Sequence, residues 1–134
     1  VLGQLLKKYP NQVNLVIKHF PLRMHKFAEK ASLAALAAAK QGKYEQLTTV
    51  LLKNFKSLND ETIKKHAEEV GLNMEQFTKD LNDPALKKQI QDDMRLGNSA
   101  KVRGVPAIFI NGRTAKQRSL QGFSQMVEQE LKKE

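Results

Sequence analysis

An α/β fold is predicted by three features of the amino-acid sequence. Two short runs, residues 13–20 (VNLVIKHF) and 107–110 (AIFI), place apolar side chains on both faces of an extended chain, as in the interior strands of a covered parallel or mixed sheet. Between them, from His25 to about Lys101, apolar residues recur at helical spacing. Directly after the second run, Asn111 and Gly112 form the strongest short hairpin signal, because both tolerate the positive φ that a two-residue turn needs.

In chain order, Leu2, Leu5, Leu6 and Tyr9 share one helical face, and Pro10 with Asn11 ends that helix. No capping residue stands before Val1, so this helix is expected to begin upstream of it. Residues 13–20 follow as a doubly buried strand, with Val13, Leu15 and Ile17 on one face and Val16 and Phe20 on the other; Pro21 stops it. The helical block opens with Phe27, Ala31, Ala34, Ala35 and Ala38. This stripe of mostly small residues lets a neighbouring helix approach closely, and Gly42 is its expected stop. A second helix over residues 43–55 carries Leu47, Val50, Leu51 and Phe55. A third, capped by Asn59 or Asp60, carries Ile63, Ala67 and Val70 and stops at Gly71. Asn73 with Gln76 has the spacing of a capping box ahead of Phe77 and Leu81. Asp83 before Pro84 puts a cap and then a proline at the first helical position, and Leu86, Ile90 and Met94 lead down to an expected stop at Gly97. Val105 and Pro106 introduce the second apolar strand, and residues 113–118 (RTAKQR) return antiparallel as a polar edge strand. Ser119 caps a last helix with Leu120, Phe123, Val127 and Leu131 on one side.

A chain of 134 residues, 40% apolar and 28% charged, suits one globular domain that buries about two-thirds of its unfolded surface. Its longest uncharged, alanine-rich stretch, residues 31–39, is far short of the roughly 20 apolar residues that cross a bilayer, so no membrane span is expected. The net charge of +9 is uneven. Residues 1–67 hold twelve basic and four acidic side chains, residues 68–134 eleven and ten. That balance favours acidic partners without specifying a fold. Cysteine is absent, which removes disulfides, thiolate nucleophiles and thiolate-ligated metals.

Other chemistries find little support. His19 and His25 are six residues apart and straddle Pro21, which fits neither the helical nor the strand spacing of paired metal ligands, and His66 stands alone; no metal site and no cofactor are expected. None of the five serines lies in a nucleophile elbow. The neighbouring carboxylates Glu68/Glu69 and Asp92/Asp93 diverge on a helix and read as solvated faces. Glycine-rich phosphate loops are missing. The lysines of the first half are spread over several elements, with two Tyr and no Trp to stack bases, so nucleic acid is not the expected partner.

The order helix, buried strand, helical block, proline-initiated strand, Asn-Gly hairpin and final helix resembles the thioredoxin-like thiol–disulfide oxidoreductases of the DsbA type. The resemblance rests on YPNQVNLVIKHFPL, AEKASLAALAAAKQGKYEQL, VGLNMEQF and, most specifically, VRGVPAIFINGR followed by RSLQGF. It implies a single domain over residues 1–134, with thioredoxin-like core halves at 1–22 and 102–134 and a helical insertion at 23–101. It also implies a cis proline at Pro106 and a substrate-binding loop of Gly104, Val105 and Pro106, in which the Val105 backbone pairs with a protein or peptide substrate. Family members carry a Cys-x-x-Cys motif behind a central strand and are mostly periplasmic or extracytoplasmic. Neither the motif nor that strand occurs here, so the chain as written is expected to have no catalytic residue and no redox activity, its family being oxidoreductases and isomerases. The alternative is a cysteine-free thioredoxin-like module that binds a peptide or partner. In either case the sheet is expected to be incomplete at its centre, the vacancy being filled by a strand of a parent protein, by another copy in a homo-oligomer or strand exchange, or by a rearranged pairing.

Overall fold

A computed structural model describes residues 1–22, 25 and 27–133; Arg23, where the helical insertion is expected to start, and Met24 and Lys26 beside it lie outside the described residues. The elements are α1 (Leu2–Lys8), α2 (Ala28–Lys40), α3 (Tyr44–Lys53), a 3-10 turn (Phe55–Ser57), α4 (Asp60–Glu69), α5 (Met74–Leu81), α6 (Pro84–Ser99), β1 (Phe109–Ile110), β2 (Arg113–Thr114) and α7 (Leu120–Leu131). They fall into two compact units, one made of Val1–Ile17 with Lys101–Glu134 and the other of Lys18–Ala100.

The second unit is all helical and centred on α2. Ala34, Ala35, Ala37 and Ala38 are buried, and their small side chains let α3, α4, α5 and α6 all pack against the one helix. Leu36, Leu47, Leu51, Ile63, Ala67, Leu72, Phe77, Leu86 and Ile90 complete this core. Full burial of Phe77 or Ile90 contributes about 1.5–3 kcal/mol each. The helix starts follow the sequence closely. The Asn59 side chain accepts the Thr62 N–H while the Thr62 hydroxyl accepts the Asn59 N–H, a reciprocal box; Asn73 accepts from Gln76 N–H and Asp83 from Ala85 N–H. Helices α2 and α4 both end in Schellman motifs: Lys43 N–H reaches the Ala38 carbonyl and Leu72 N–H the Ala67 carbonyl, with Gly42 and Gly71 at positive φ between.

Gly97 does not stop α6, which runs on to Ser99 before Lys101 turns left-handed. The glycine serves packing instead. A Cβ at this position would stand 2.6 Å from both Cδ1 and Cε1 of Phe20, so the missing side chain is what admits the Phe20 ring.

In the first unit α1 packs on α7, and α7 on β1, around Leu5, Tyr9, Ala115, Phe123 and Val127. Strands β1 and β2 form an antiparallel ladder pairing Phe109 with Thr114 and Ile110 with Arg113. Asn111 (φ 48°) and Gly112 (φ 79°) make the two-residue turn, both at the positive φ of a type I′ hairpin. Beyond the ladder, Ala115 N–H donates to the Ile108 carbonyl at 2.8 Å. The strands are shorter than the apolar runs predict: β1 occupies the last two residues of 107–110 and β2 the first two of 113–118.

Residues 13–20 form no strand. Their composition suits one, but a strand requires a partner backbone, and among the described residues the only ladder joins β1 to β2. Leu15, Val16 and Ile17 are accordingly 46, 71 and 54% exposed instead of doubly buried.

Candidate functional site

The loop that leads into β1 gathers the residues singled out as a substrate site. Ile108 and Ile110 point into the core beside Phe123, while Phe109 between them is exposed, so the period-two alternation holds over the last residues of the run. Upstream, Arg103, Gly104, Val105, Pro106 and Ala107 are all exposed. The Val105-Pro106 peptide is cis. Among the described residues no hydrogen bond within the chain engages the backbone of residues 103–107, where Pro106 has no N–H to donate. Val105 is 51% exposed and Phe109 41%, and a Cβ at Gly104 would meet nothing within 4 Å. The result is an accessible run of free backbone donors and acceptors with an apolar side chain at its middle, which is what an extended peptide needs for strand-like pairing.

Next in sequence to this loop, Ile108, Phe109 and Ile110 line a small pocket of about 70 Å³ together with Val13, Asn14, Leu15, Leu5, Leu6 and Phe123. Residues 13–15 and 108–110, which belong to the two apolar runs of the sequence, thus line one pocket. A second, open groove of about 770 Å³ is lined by Lys8 of α1 and by α7 residues including Gln121, Ser124, Gln125 and Gln129; Lys8 Nζ donates to Ser124 Oγ at 3.2 Å.

The histidines are not brought together. His25 is exposed, and the His66 ring lies 3.2 Å from Glu69 on its own helix. His19 sits in the helical unit with Nε2 3.3 Å from the Tyr44 hydroxyl and its ring edge-on to that of Tyr44. Its backbone N–H donates to Asp93 Oδ2 at 3.0 Å, and Lys18 Nζ stands 3.6 Å from Asp93 Oδ1. Burial holds the His19 imidazole below its ordinary value, with the nearby Asp93 carboxylate opposing, and burial raises the Tyr44 hydroxyl. Glu68, Glu69 and Asp92 are exposed, as their adjacency suggests, but Asp93 is buried. Sequence reasoning misses it because its partners lie some seventy residues upstream; the one available signal is its place three residues after Ile90 on the apolar side of α6. No group of three or more potential metal ligands occurs among the described residues.

A proline loop leads into a hairpin that packs on α7, and solved structures share this fold. A thioredoxin-like oxidoreductase from Silicibacter pomeroyi superposes with a TM-score of 0.80 at 27% identity, over 99% of this chain and 76% of that one. A DsbA of Proteus mirabilis, solved with a non-covalently bound peptide, superposes with a TM-score of 0.77 at 17% identity, over 97% of this chain and 77% of that one, a likeness of fold. Residues 24–128 match the family of DSBA-like thioredoxin domains. The chain belongs to that family, whose chemistry is thiol–disulfide oxidoreduction, and it contains no cysteine. It is also 32% identical over 111 residues to a protein of Salinispora tropica named as a Na(+)/H(+) antiporter, and 27% identical over 105 residues to one of Herminiimonas arsenicoxydans. These matches cover 82 and 78% of this chain but only 17% of either antiporter. Among the described residues no helix is long and apolar enough to cross a membrane.

Proposed function

We propose that this chain is the peptide-holding part of a DsbA-type thiol–disulfide exchange domain, with Gly104, Val105 and Pro106 as its substrate-binding residues. The observation that carries the reading is the exposed, unbonded backbone around Val105 in a chain of this family. An extended stretch of a protein substrate pairs with that backbone, which holds its disulfide for attack by a thiolate; a mixed disulfide forms and the second substrate sulfur leaves as a thiolate. No side chain here can be that nucleophile, so the thiols come from outside these 134 residues. We read residues 1–22 and 102–134 as the halves of one thioredoxin-like core and 23–101 as an insertion in it. A strand from the same outside source completes the sheet between residues 13–20 and 107–110. Such chemistry belongs in an oxidising, extracytoplasmic compartment.

The purified chain is expected to show no thiol-dependent turnover in an insulin-reduction or refolding assay, and to bind an extended peptide in a way that Val105→Asp abolishes. Thiol-dependent turnover by the chain alone, or peptide binding indifferent to Val105→Asp, refutes the reading. The zero cysteine count favours a second reading, a naturally thiol-free module that holds peptides without exchanging their disulfides. The reading frame of the source gene decides between them: a Cys-x-x-Cys shortly before Val1 supports the first, and a mature native chain of 15.2 kDa the second.

A further inference from the structure

The distribution of charge around the loop names the kind of peptide it takes. Between Asp93 and Glu128 the chain has no acidic residue, and within that stretch the first unit carries Lys101, Arg103, Arg113, Lys116 and Arg118. All five are exposed, and they bracket the loop and hairpin on the sequence side before Val105 and the side after Phe109. Arg113 has a carboxylate partner, Glu130, at 3.5 Å. Lys101, Arg103, Lys116 and Arg118 have none among the described residues. The described carboxylates of this unit are already engaged elsewhere: Glu128 accepts the Tyr9 hydroxyl, and Glu130 is shared by Arg113 and Lys133, the hydrogen bond from Lys133 holding its carboxyl below the usual range.

Resting on the reading of Gly104, Val105 and Pro106 as a peptide site, we infer that its natural occupant is an extended polypeptide segment rich in Asp and Glu, with an apolar residue set against Val105. The unbonded backbone of residues 103–107 selects an extended chain, and the exposed Val105 and Phe109 favour an apolar residue at its centre. The four uncompensated cations select acidic flanks and speed encounter with them. A second copy is a poor occupant, because each chain carries +9. A nucleic acid would meet the charge, but it would leave the loop's donors and acceptors unused and, among the described residues 101–118, find one exposed aromatic, Phe109, to stack on.

The test is fluorescence anisotropy with the whole chain and labelled extended peptides that share one apolar centre and differ in their flanks: Asp/Glu, Asn/Gln or Lys/Arg. The acidic peptide should bind about tenfold more tightly than the neutral one, as a few exposed ion pairs permit. That advantage should shrink severalfold when salt is raised to about 1 M, where the Debye length falls to about 3 Å. Lys116→Glu with Arg118→Glu, both outside the 103–107 loop, should remove the preference and leave the neutral peptide's affinity unchanged, while Lys64→Glu with Lys65→Glu on α4 should alter neither. Equal binding of acidic and neutral peptides, lost with Val105→Asp, overturns this inference and leaves the loop reading standing. Binding of no peptide, or binding indifferent to Val105→Asp, overturns both. Preference for a single-stranded oligonucleotide that displaces the acidic peptide, or self-association through the loop, also overturns it.

Discussion

Gly97→Ala should change sign with its neighbour. In an exposed helix interior, replacing glycine by alanine stabilises by about 0.8–1 kcal/mol, because alanine loses less backbone freedom on folding. Gly97 lies inside α6 with ordinary helical φ, so that gain is available. The new Cβ, however, would stand 2.6 Å from two atoms of the Phe20 ring, about 1 Å inside an ordinary carbon–carbon contact. Overpacking of this kind costs about 1–3 kcal/mol. The net effect in the native background is therefore a loss of about 0–2 kcal/mol. In a Phe20→Ala background the obstruction is gone and the same substitution should stabilise by about 1 kcal/mol, giving a coupling of about 1–3 kcal/mol across the cycle. Urea denaturation of the four proteins, followed by circular dichroism at 222 nm, reads it from the midpoints at constant slope. Gly97→Ala stabilising both backgrounds equally would refute the claim that this glycine exists to admit the Phe20 ring, and equal destabilisation of both would refute the helix-propensity argument.

Other outcomes follow from the same geometry. Because burial lowers the His19 value from its ordinary 6.5, the unfolded chain takes up that proton more readily than the folded one. The contribution is thus complete above about pH 6.5 and is lost as pH falls from there through the lower folded-state value; a denaturation series from pH 8 to 5 should show this slope, and His19→Gln should flatten it. Asn59→Ala removes half of the capping box of α4 and should cost about 1 kcal/mol in the urea midpoint. Gly112→Ala puts a Cβ at φ 79° in the hairpin turn and should cost about 1–2 kcal/mol, with weakened amide protection at Ile110 and Arg113; unchanged protection would contradict the turn assignment. Phe77→Ala empties the centre of the helical core and should cost about 3–5 kcal/mol, a large share of the 5–15 kcal/mol typical of a domain.

Local chemistry made much of this protein legible without coordinates. Helix starts at Asn59, Asn73, Asp83 and Ser119, stops at Gly42 and Gly71 and the hairpin at Asn111 and Gly112 are all set by bonds between residues two to five apart, so their sequence signals survive into the structure. The DsbA-like, thioredoxin-like fold was legible too, because it shows in the order of such elements and in the VRGVPAIFINGR segment. What tertiary structure alone decided depends on partners distant in the chain. Residues 13–20 have the composition of a buried strand but none of its pairing, since alternation of side chains does not supply a neighbouring backbone. Gly97 reads as a stop and serves as a seat for Phe20, and Asp93 reads as a solvated carboxylate yet is buried on the His19 backbone. In each of these cases the residue's role is fixed by a group some seventy or more positions away, or by one these 134 residues do not contain, and no local pattern encodes that distance.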